Sequence, residues 1–436
     1  MKSKIIFVKF IVFIAIFYVL CTLVAFLLCD EEGSYSRIFM HEMYEAKRID
    51  TVFLGASHVS HGVLPSLLDE LTGEETFCLG SAGQKMEATY ALLQQASKIH
   101  TIKRAFLELD FAEACTTEIK DKTGFKADYS IAKQLRDPKI KIEYLLNLSS
   151  PAYYINSFLP IGKDKHMTLH PSALLFRWKS FFNGDYFSYV YKDDDDEYGA
   201  KGCLMDLRLV PNGSFVNDHD EGRIKTENFS NDWKKYVDKI IALCKEKNIA
   251  LTMYSMPCSD YYLAEKGNYD EYYSLVKDFC ASRGFDYYDF NLAKENYLSL
   301  EDSDFHDDNH FSKQGVYKWT RLVSQCFFTN PEMLNDMFYS SYNEKISHQE
   351  PKIYGLVIYT SPDKKEIEIV PMKNFTSTEH ISYEVYALVD GKETLIKRGG
   401  GTSIQLPDKV SGKLRVRSFI RGEKQTECSV PFSTVL

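Results

Sequence analysis

The chain has 436 residues, 44% of them hydrophobic and 26% charged, with a formal net charge of −9. That length and composition suit two or three packed domains of ordinary globular character. The acidic balance, with no basic aromatic stripe to offset it, excludes nonspecific binding to nucleic acid.

From Phe10 to Cys29 run twenty uncharged, mostly apolar positions. As a helix at roughly 1.5 Å per residue they cover about 30 Å, the thickness of a bilayer's hydrocarbon core. Lys2, Lys4 and Lys9 precede the run, and Asp30, Glu31 and Glu32 follow it. The positive-inside rule therefore places the start of the chain in the cytoplasm and the rest outside. A signal peptide is the competing reading. Its apolar region is shorter, however, and no small-x-small cleavage site lies near Cys29, so residues 1–33 are read as a cytoplasmic tip and a retained single-pass anchor.

Residues 34–47 predict a linker and short helix. The apolar run Ile49 to Leu54 then predicts a strand that ends at Gly55 and lifts Ser57 from its carboxyl end, where open α/β sheets place their ligands. Pro65 opens a helix that Gly73 closes, and Thr76 to Leu79 is strand two. A helix from Gln84 to Ile99 leads to strand three at Ala105 to Asp110.

An insertion at about 112–230 follows, longer than a minimal domain needs and of the kind that is often lid-like. Its aromatics, such as Tyr153-Tyr154 and Phe181-Phe182, read as core in preference to sugar- or acyl-contacting groups. The acidic run Asp193 to Glu197 reads as a solvated loop in preference to a calcium site, because no EF-hand spacing is present.

Trp233, Tyr236, Val237, Ile240, Ile241 and Cys244 form one apolar helix face. Strand four is Ile249 to Met256, a helix carries Tyr272 to Cys280, and strand five is Phe285 to Phe290. Strands alternating with helices imply a parallel sheet, so residues 34–345 form an α/β domain. From about residue 350 the period becomes two, with strands at Ile353 to Tyr359, Glu366 to Val370, Ile381 to Leu388 and Leu414 to Ile420 and a hairpin turn at Asp390-Gly391. Residues 346–436 fit a small β-sandwich, whose function the pattern leaves open.

Near the end of the α/β domain, Asp307 and His310 stand three residues apart, close enough for the carboxylate to orient the imidazole. A hydroxyl is a poor nucleophile near neutral pH. A histidine must take its proton, and a carboxylate must fix the ring's tautomer. Ser57, Asp307 and His310 supply those three types, against the blander readings of a turn serine and a polar loop. His58 and His61 read as polar pocket lining and His306 as a loop residue. A metal centre is not expected, because no His-Glu-x-x-His pattern is present. Eight scattered cysteines outside the anchor, without a CxxC pair, give neither a zinc signature nor a disulfide framework.

Gly55-Ala56-Ser57 and Asp307-x-x-His310 resemble the first and last blocks of the SGNH/GDSL hydrolase superfamily, and Leu79-Gly80-Ser81-Ala82-Gly83-Gln84 resembles its second. The likeness runs over roughly residues 48 to 328. More narrowly the layout resembles membrane-anchored proteins of envelope polymer modification, such as D-alanyl transfer and polysaccharide O-acetylation proteins. It implies a flavodoxin-like doubly wound parallel sheet in the order 2-1-3-4-5, with Ser57 beside the switch point. It also implies an oxyanion hole from the Ser57 and Gly80 backbone and the Gln84 amide, with His58 lining the substrate site and no cofactor. One departure stands out: the third block ordinarily supplies an asparagine, and here strand three ends in Asp110. An ionised carboxylate cannot donate a hydrogen bond, and losing one oxyanion donor costs about 2.7–4 kcal/mol.

The expected function is that of an extracytoplasmic serine O-acyltransferase or esterase. It would move an acetyl or D-alanyl group on envelope polysaccharide or teichoic acid, beside a membrane-bound O-acyltransferase. The alternatives are an SGNH-shaped accessory protein that binds polymer or the acyltransferase, and a lipid esterase.

Overall fold

The computed structural model describes residues 2–29, 34–116, 124, 126–163, 165, 167–191, 196–206, 214–216, 222–361, 366–377, 380–389, 392–406 and 411–433. The acidic flank Asp30 to Glu32, most of the Asp193 to Glu197 run and the Asp390-Gly391 turn lie outside the described residues. The chain divides into two compact units, one of residues 1–205 and 228–252, the other of 206–227 and 253–436. The boundary between residues 252 and 253 falls inside a strand.

The first unit begins with an apolar helix, Lys2–Leu28, long and apolar enough to cross a membrane. Tyr35–Glu45 is the expected short helix. Three strands follow: β1 (Thr51–Gly55), β2 (Thr76–Gly80) and β3 (Arg104–Glu108). β1 pairs in parallel with both others, placing Gly55 opposite Gly80 and Phe53 opposite Phe106. Every residue of β1 and β2 is buried, as in a parallel sheet covered on both faces. The Phe53 and Phe106 rings stack at 4.7 Å. Pro65–Thr72 is helical and ends at Gly73 in the left-handed region (φ 73°), as its proline and glycine signalled. The helix Asn231–Lys247 is capped by the Ser230 hydroxyl, which accepts from Trp233 N at 3.2 Å, and its apolar face is buried through Trp233, Tyr236 and Ile240.

β4 (Ala250–Ser255) and β5 (Tyr287–Asp289) complete a five-stranded parallel sheet in the order 2-1-3-4-5. β4 pairs with β5 through Met253 to Ser255 in the second unit.

The rest of the second unit is dominated by two four-stranded sheets. One runs in the order Ser403–Gln405, Glu366–Lys373, Ile353–Thr360, Ser214–Val216. The other runs Lys392–Gly399, Ile381–Val389, Ser411–Ile420, Glu423–Ser433. Alternate residues such as Leu356, Ile369, Val385 and Val416 are fully buried in one shared core, so the region is sandwich-like. The strand Ser214–Val216 was not read from the sequence. It comes from the insertion and pairs in parallel with Val357 to Tyr359. Tyr354, Val357 and Met372 also pack on Tyr261 of the helix Asp260–Lys266, and a β-carbon at Gly355 would sit 2.2 Å from the Tyr261 ring. These contacts tie the sandwich to the α/β elements of its own unit.

Two readings of the insertion change. Phe182, expected in the core, is 73% exposed, and Asp196 belongs to a short strand, Asp196–Tyr198, not to a loop. All ten cysteines are buried free thiols, the behaviour of a small apolar side chain.

Candidate active site

In the first unit β1 delivers Gly55-Ala56-Ser57 into a one-turn helix, Ser57–Ser60, with Ser57 half-buried at its start. Close approach of backbone dictates the glycines here. A β-carbon at Gly80 would lie 2.5 Å from Ala56 O and 2.9 Å from Val59 Cβ, and one at Gly55 would meet Val59 Cγ2 at 2.8 Å and Glu108 Cβ at 2.9 Å. The turn that presents Ser57 therefore packs directly on the ends of β1, β2 and β3. The Ser57 carbonyl accepts from His61 N at 2.8 Å and from the Ser60 hydroxyl at 3.1 Å, which closes the turn.

Gln84 does not serve the oxyanion role the resemblance implied. It is buried, and its amide donates to Leu79 O at 2.9 Å and to Thr89 Oγ1 at 3.0 Å, while its carbonyl accepts from the Ser81 hydroxyl at 3.0 Å. Both amide protons are committed to holding the Leu79 to Gln84 loop in shape. Gly80 ends β2 with its carbonyl 2.9 Å from the Tyr35 hydroxyl.

His58 is buried and its Nδ1 lies 3.2 Å from Glu108 Oε1, with Glu108 only 2% exposed at the end of β3. Glu108 was not singled out from the sequence, although a lone carboxylate in the apolar run Ala105 to Leu109 was the available signal. Asp110 is half-buried and caps the short helix Phe111–Ala114, its Oδ1 accepting from Ala112 N at 3.1 Å. This residue is thus an acceptor with a structural task. The donor atoms of His58, Glu108 and Asp110 lie within 4.8 Å of one another, a spacing that a cation could occupy.

In the second unit Asp307 and His310 sit in a pinched loop. Phe305 and Phe311 pair across its neck, their rings 5.3 Å apart, and His306 N donates to His310 O at 2.9 Å. Asp307 Oδ1 accepts from the backbone of Asn309 at 2.9 Å and of His310 at 2.7 Å, an Asx turn that fixes its side chain. Its Oδ2 lies 2.8 Å from His310 Nδ1. That contact selects the tautomer whose lone pair is on Nε2, the nitrogen a general base uses.

The same Asp307 oxygen lies 3.1 Å from His306 Nε2, and His306 Nδ1 faces Asp206 Oδ2 at 2.9 Å, with Asp206 buried at the end of the strand Leu204–Asp206. Carboxylate oxygens of Asp206 and Asp307 thus flank the His306 ring on both sides. Burial pushes the Asp307 carboxyl up, but the His306 and His310 rings outweigh it and hold it well below the usual carboxylate range. His306, Asp307 and His310 are also near enough to share a cation.

Below the loop, Asp304 is fully buried and accepts from Lys318 Nζ at 2.7 Å and Gln314 Nε2 at 2.9 Å, both on the helix Lys313–Ser324. A β-carbon at Gly315 would strike Asp304 O at 2.0 Å, so that helix begins directly against the loop. No protein family's model matches this chain, and no curated protein matches it.

Proposed function

We propose that the chain is an SGNH-type serine acyl-ester enzyme, anchored by residues 10–29 with its catalytic part outside the cell membrane. In this reading it moves a small acyl group, acetyl or D-alanyl, on an envelope polysaccharide or teichoic acid. The observation that carries it is the 2.8 Å contact between Asp307 Oδ2 and His310 Nδ1, the orientation a general base requires. The strand-end turn that presents Ser57 supplies the matching nucleophile.

Ser57 Oγ attacks the ester carbonyl while His310 Nε2 takes its proton, and the carbonyl π pair moves onto oxygen. Backbone N–H groups at Ser57 and Gly80 hold that oxyanion, since Gln84 is committed elsewhere. The intermediate collapses, the C–O bond to the leaving alcohol breaks, and His310 returns the proton to that alcohol. A second hydroxyl then attacks the acyl-serine with His310 again as base, the acyl–Oγ bond breaks, and His310 returns the proton to Ser57 Oγ. Water completes hydrolysis, and a sugar or polyol hydroxyl, delivered beside a membrane-bound O-acyltransferase, completes transfer.

The test is fluorophosphonate labelling of the full chain in detergent, wild type against Ser57→Ala and His310→Ala. Loss of labelling in both variants is expected. A folded wild type that resists the probe, or labelling that survives Ser57→Ala, overturns the reading.

One observation favours a second reading, an accessory protein that binds polymer or the acyltransferase: the Asp110 carboxylate accepts a hydrogen bond where a donor belongs. On that reading Ser57→Ala leaves polymer acylation in cells unchanged.

A further inference from the structure

The helix Pro171–Asn183 is inside out for water. Its buried side chains are Arg177 and Ser180, whereas Leu175, Trp178 and Phe182, three and four positions apart on one face, are 56%, 45% and 73% exposed. Leu169, Phe176 and Phe187 extend the exposed apolar surface on either side. A water-facing helix carries the opposite pattern, and an apolar patch of this kind marks a surface that something apolar covers.

The identity of the covering phase follows from what this helix touches within its own unit. Arg177 donates to Phe26 O at 3.1 Å and also to Cys29 O, and Thr168 N donates to Leu28 O at 2.7 Å. These are carbonyls of the last turn of Lys2–Leu28, which a helix end leaves without partners of its own. The Phe26 ring packs edge-on against Phe181 at 5.1 Å and Tyr186 at 5.4 Å. Cys21, Ala25 and Cys29, four apart, are buried, while Phe10, Phe13, Phe17 and Leu20 of the same helix are exposed. The helix Pro171–Asn183 therefore packs against the end of the anchor, and both elements expose apolar side chains.

We infer that residues 167–190 are a second membrane element. The helix Pro171–Asn183 lies in the leaflet that the carboxyl end of Lys2–Leu28 enters, with Leu175, Trp178 and Phe182 among lipid acyl chains. The inference rests on reading residues 10–29 as a membrane span. Buried Arg177 is not exposed to lipid, because its guanidinium is spent on the anchor's last carbonyls. Exposed Lys179 can reach the headgroups, and Trp178 and Tyr186 are the ring types that settle at the interface. Interfacial helices of this kind seat their apolar face about 5–10 Å into the headgroup–acyl boundary. The first unit would then be held to the membrane by two elements and not by a tether alone.

The three tryptophans make the test direct, since Trp233 and Trp319 are buried and only Trp178 is exposed. The full chain is reconstituted into vesicles of phosphatidylcholine and phosphatidylglycerol, with and without brominated acyl chains, and tryptophan emission is read. Bromolipid is expected to remove the Trp178 contribution, and the bromolipid-sensitive part is expected to vanish in Trp178→Phe. The doubly polar variant Leu175→Ser with Phe182→Ser is expected to lose most of the quenching while the chain stays in the membrane through sodium carbonate extraction. Emission indifferent to bromolipid in a chain that resists carbonate overturns the second element and leaves the anchor standing. A chain that carbonate releases overturns the anchor reading, and the second element with it.

Discussion

His306 Nε2 stands 3.1 Å from Asp307 Oδ2, the same oxygen that faces His310 Nδ1. The carboxylate that orients the proposed base is thus shared by two imidazoles, the outer one clamped from behind by Asp206. The hydrogen bond from His306 draws on the charge of the oxygen that faces His310, whose ring centre lies 5.9 Å from that of His306.

Removing that hydrogen bond is expected to make His310 more basic. In His306→Gln the midpoint of the labelling-rate profile with fluorophosphonate should move up in pH, by on the order of one unit. Asp206→Asn should move it the same way by less, because a His306 ring no longer faced by a carboxylate is the weaker donor to Asp307. A fall in labelling amplitude with an unmoved midpoint in both variants would reduce His306 to a packing role.

Asp289 gives the second unit a pH dependence of its own. Burial pushes its carboxyl up to about 6, against the downward pull of the Tyr269 hydroxyl at 2.7 Å and of Asn291. Folding therefore binds a proton that the unfolded chain, with its carboxyl near 3.9, has already released. Stability from this group is present below about pH 4 and lost as pH rises toward 6, on the order of 3 kcal/mol. Melting temperatures from pH 4 to 7 should show that slope in wild type and a flatter one in Asp289→Asn.

Gly80→Ala tests the packing beneath the nucleophile. The added methyl meets Ala56 O at 2.5 Å and Val59 Cβ at 2.9 Å, and a backbone oxygen cannot rotate aside. The variant should lose about 1–3 kcal/mol of stability, in the range of overpacked cores. Ser57 labelling should fall further than stability alone dictates, because the displaced backbone is the turn that presents the hydroxyl. Unchanged labelling in a destabilised variant would separate the turn from the chemistry.

What could be read from the sequence follows the range of the interactions involved. Gly55-Ala56-Ser57, the Pro65 to Gly73 helix and the Asp307/His310 pair are local, each set within a few residues by turn chemistry or helix signals. The five strands and their order also agree with expectation. Residues that act across the chain were missed. Asp206 meets His306 from a hundred positions away, Glu108 pairs with His58 across the sheet, and Ser214–Val216 joins the sandwich out of the insertion. Gln84 has the right type in the right place, but its two amide protons are spent on Leu79 and Thr89, a direction that residue type does not encode. Phe182 reads as core because aromatics usually are. The buried Arg177 and Ser180 on the other face of its helix reveal that the helix is turned outward.

Asp110 offers the sharpest separation between the enzyme and accessory readings. Its Oδ1 accepts from Ala112 N, a cap that asparagine makes as well as aspartate. Asp110→Asn therefore keeps the fold and adds an N–H donor where the third block carries one, whereas Asp110→Ala loses the cap at about 1 kcal/mol and adds nothing. If the site is a working enzyme weakened at this position, Asp110→Asn should raise the rate of Ser57 acylation by fluorophosphonate or a small aryl ester by about tenfold or more. That gain is a fraction of the hundred- to thousandfold that one oxyanion donor supplies in an optimised site. Asp110→Ala should leave the rate at or below wild type. Equal rates in wild type and Asp110→Asn, with both chains folded, would mean that the oxyanion is held by backbone alone. A carboxylate at this position is then no mark of decay, and the accessory reading loses the observation that favours it.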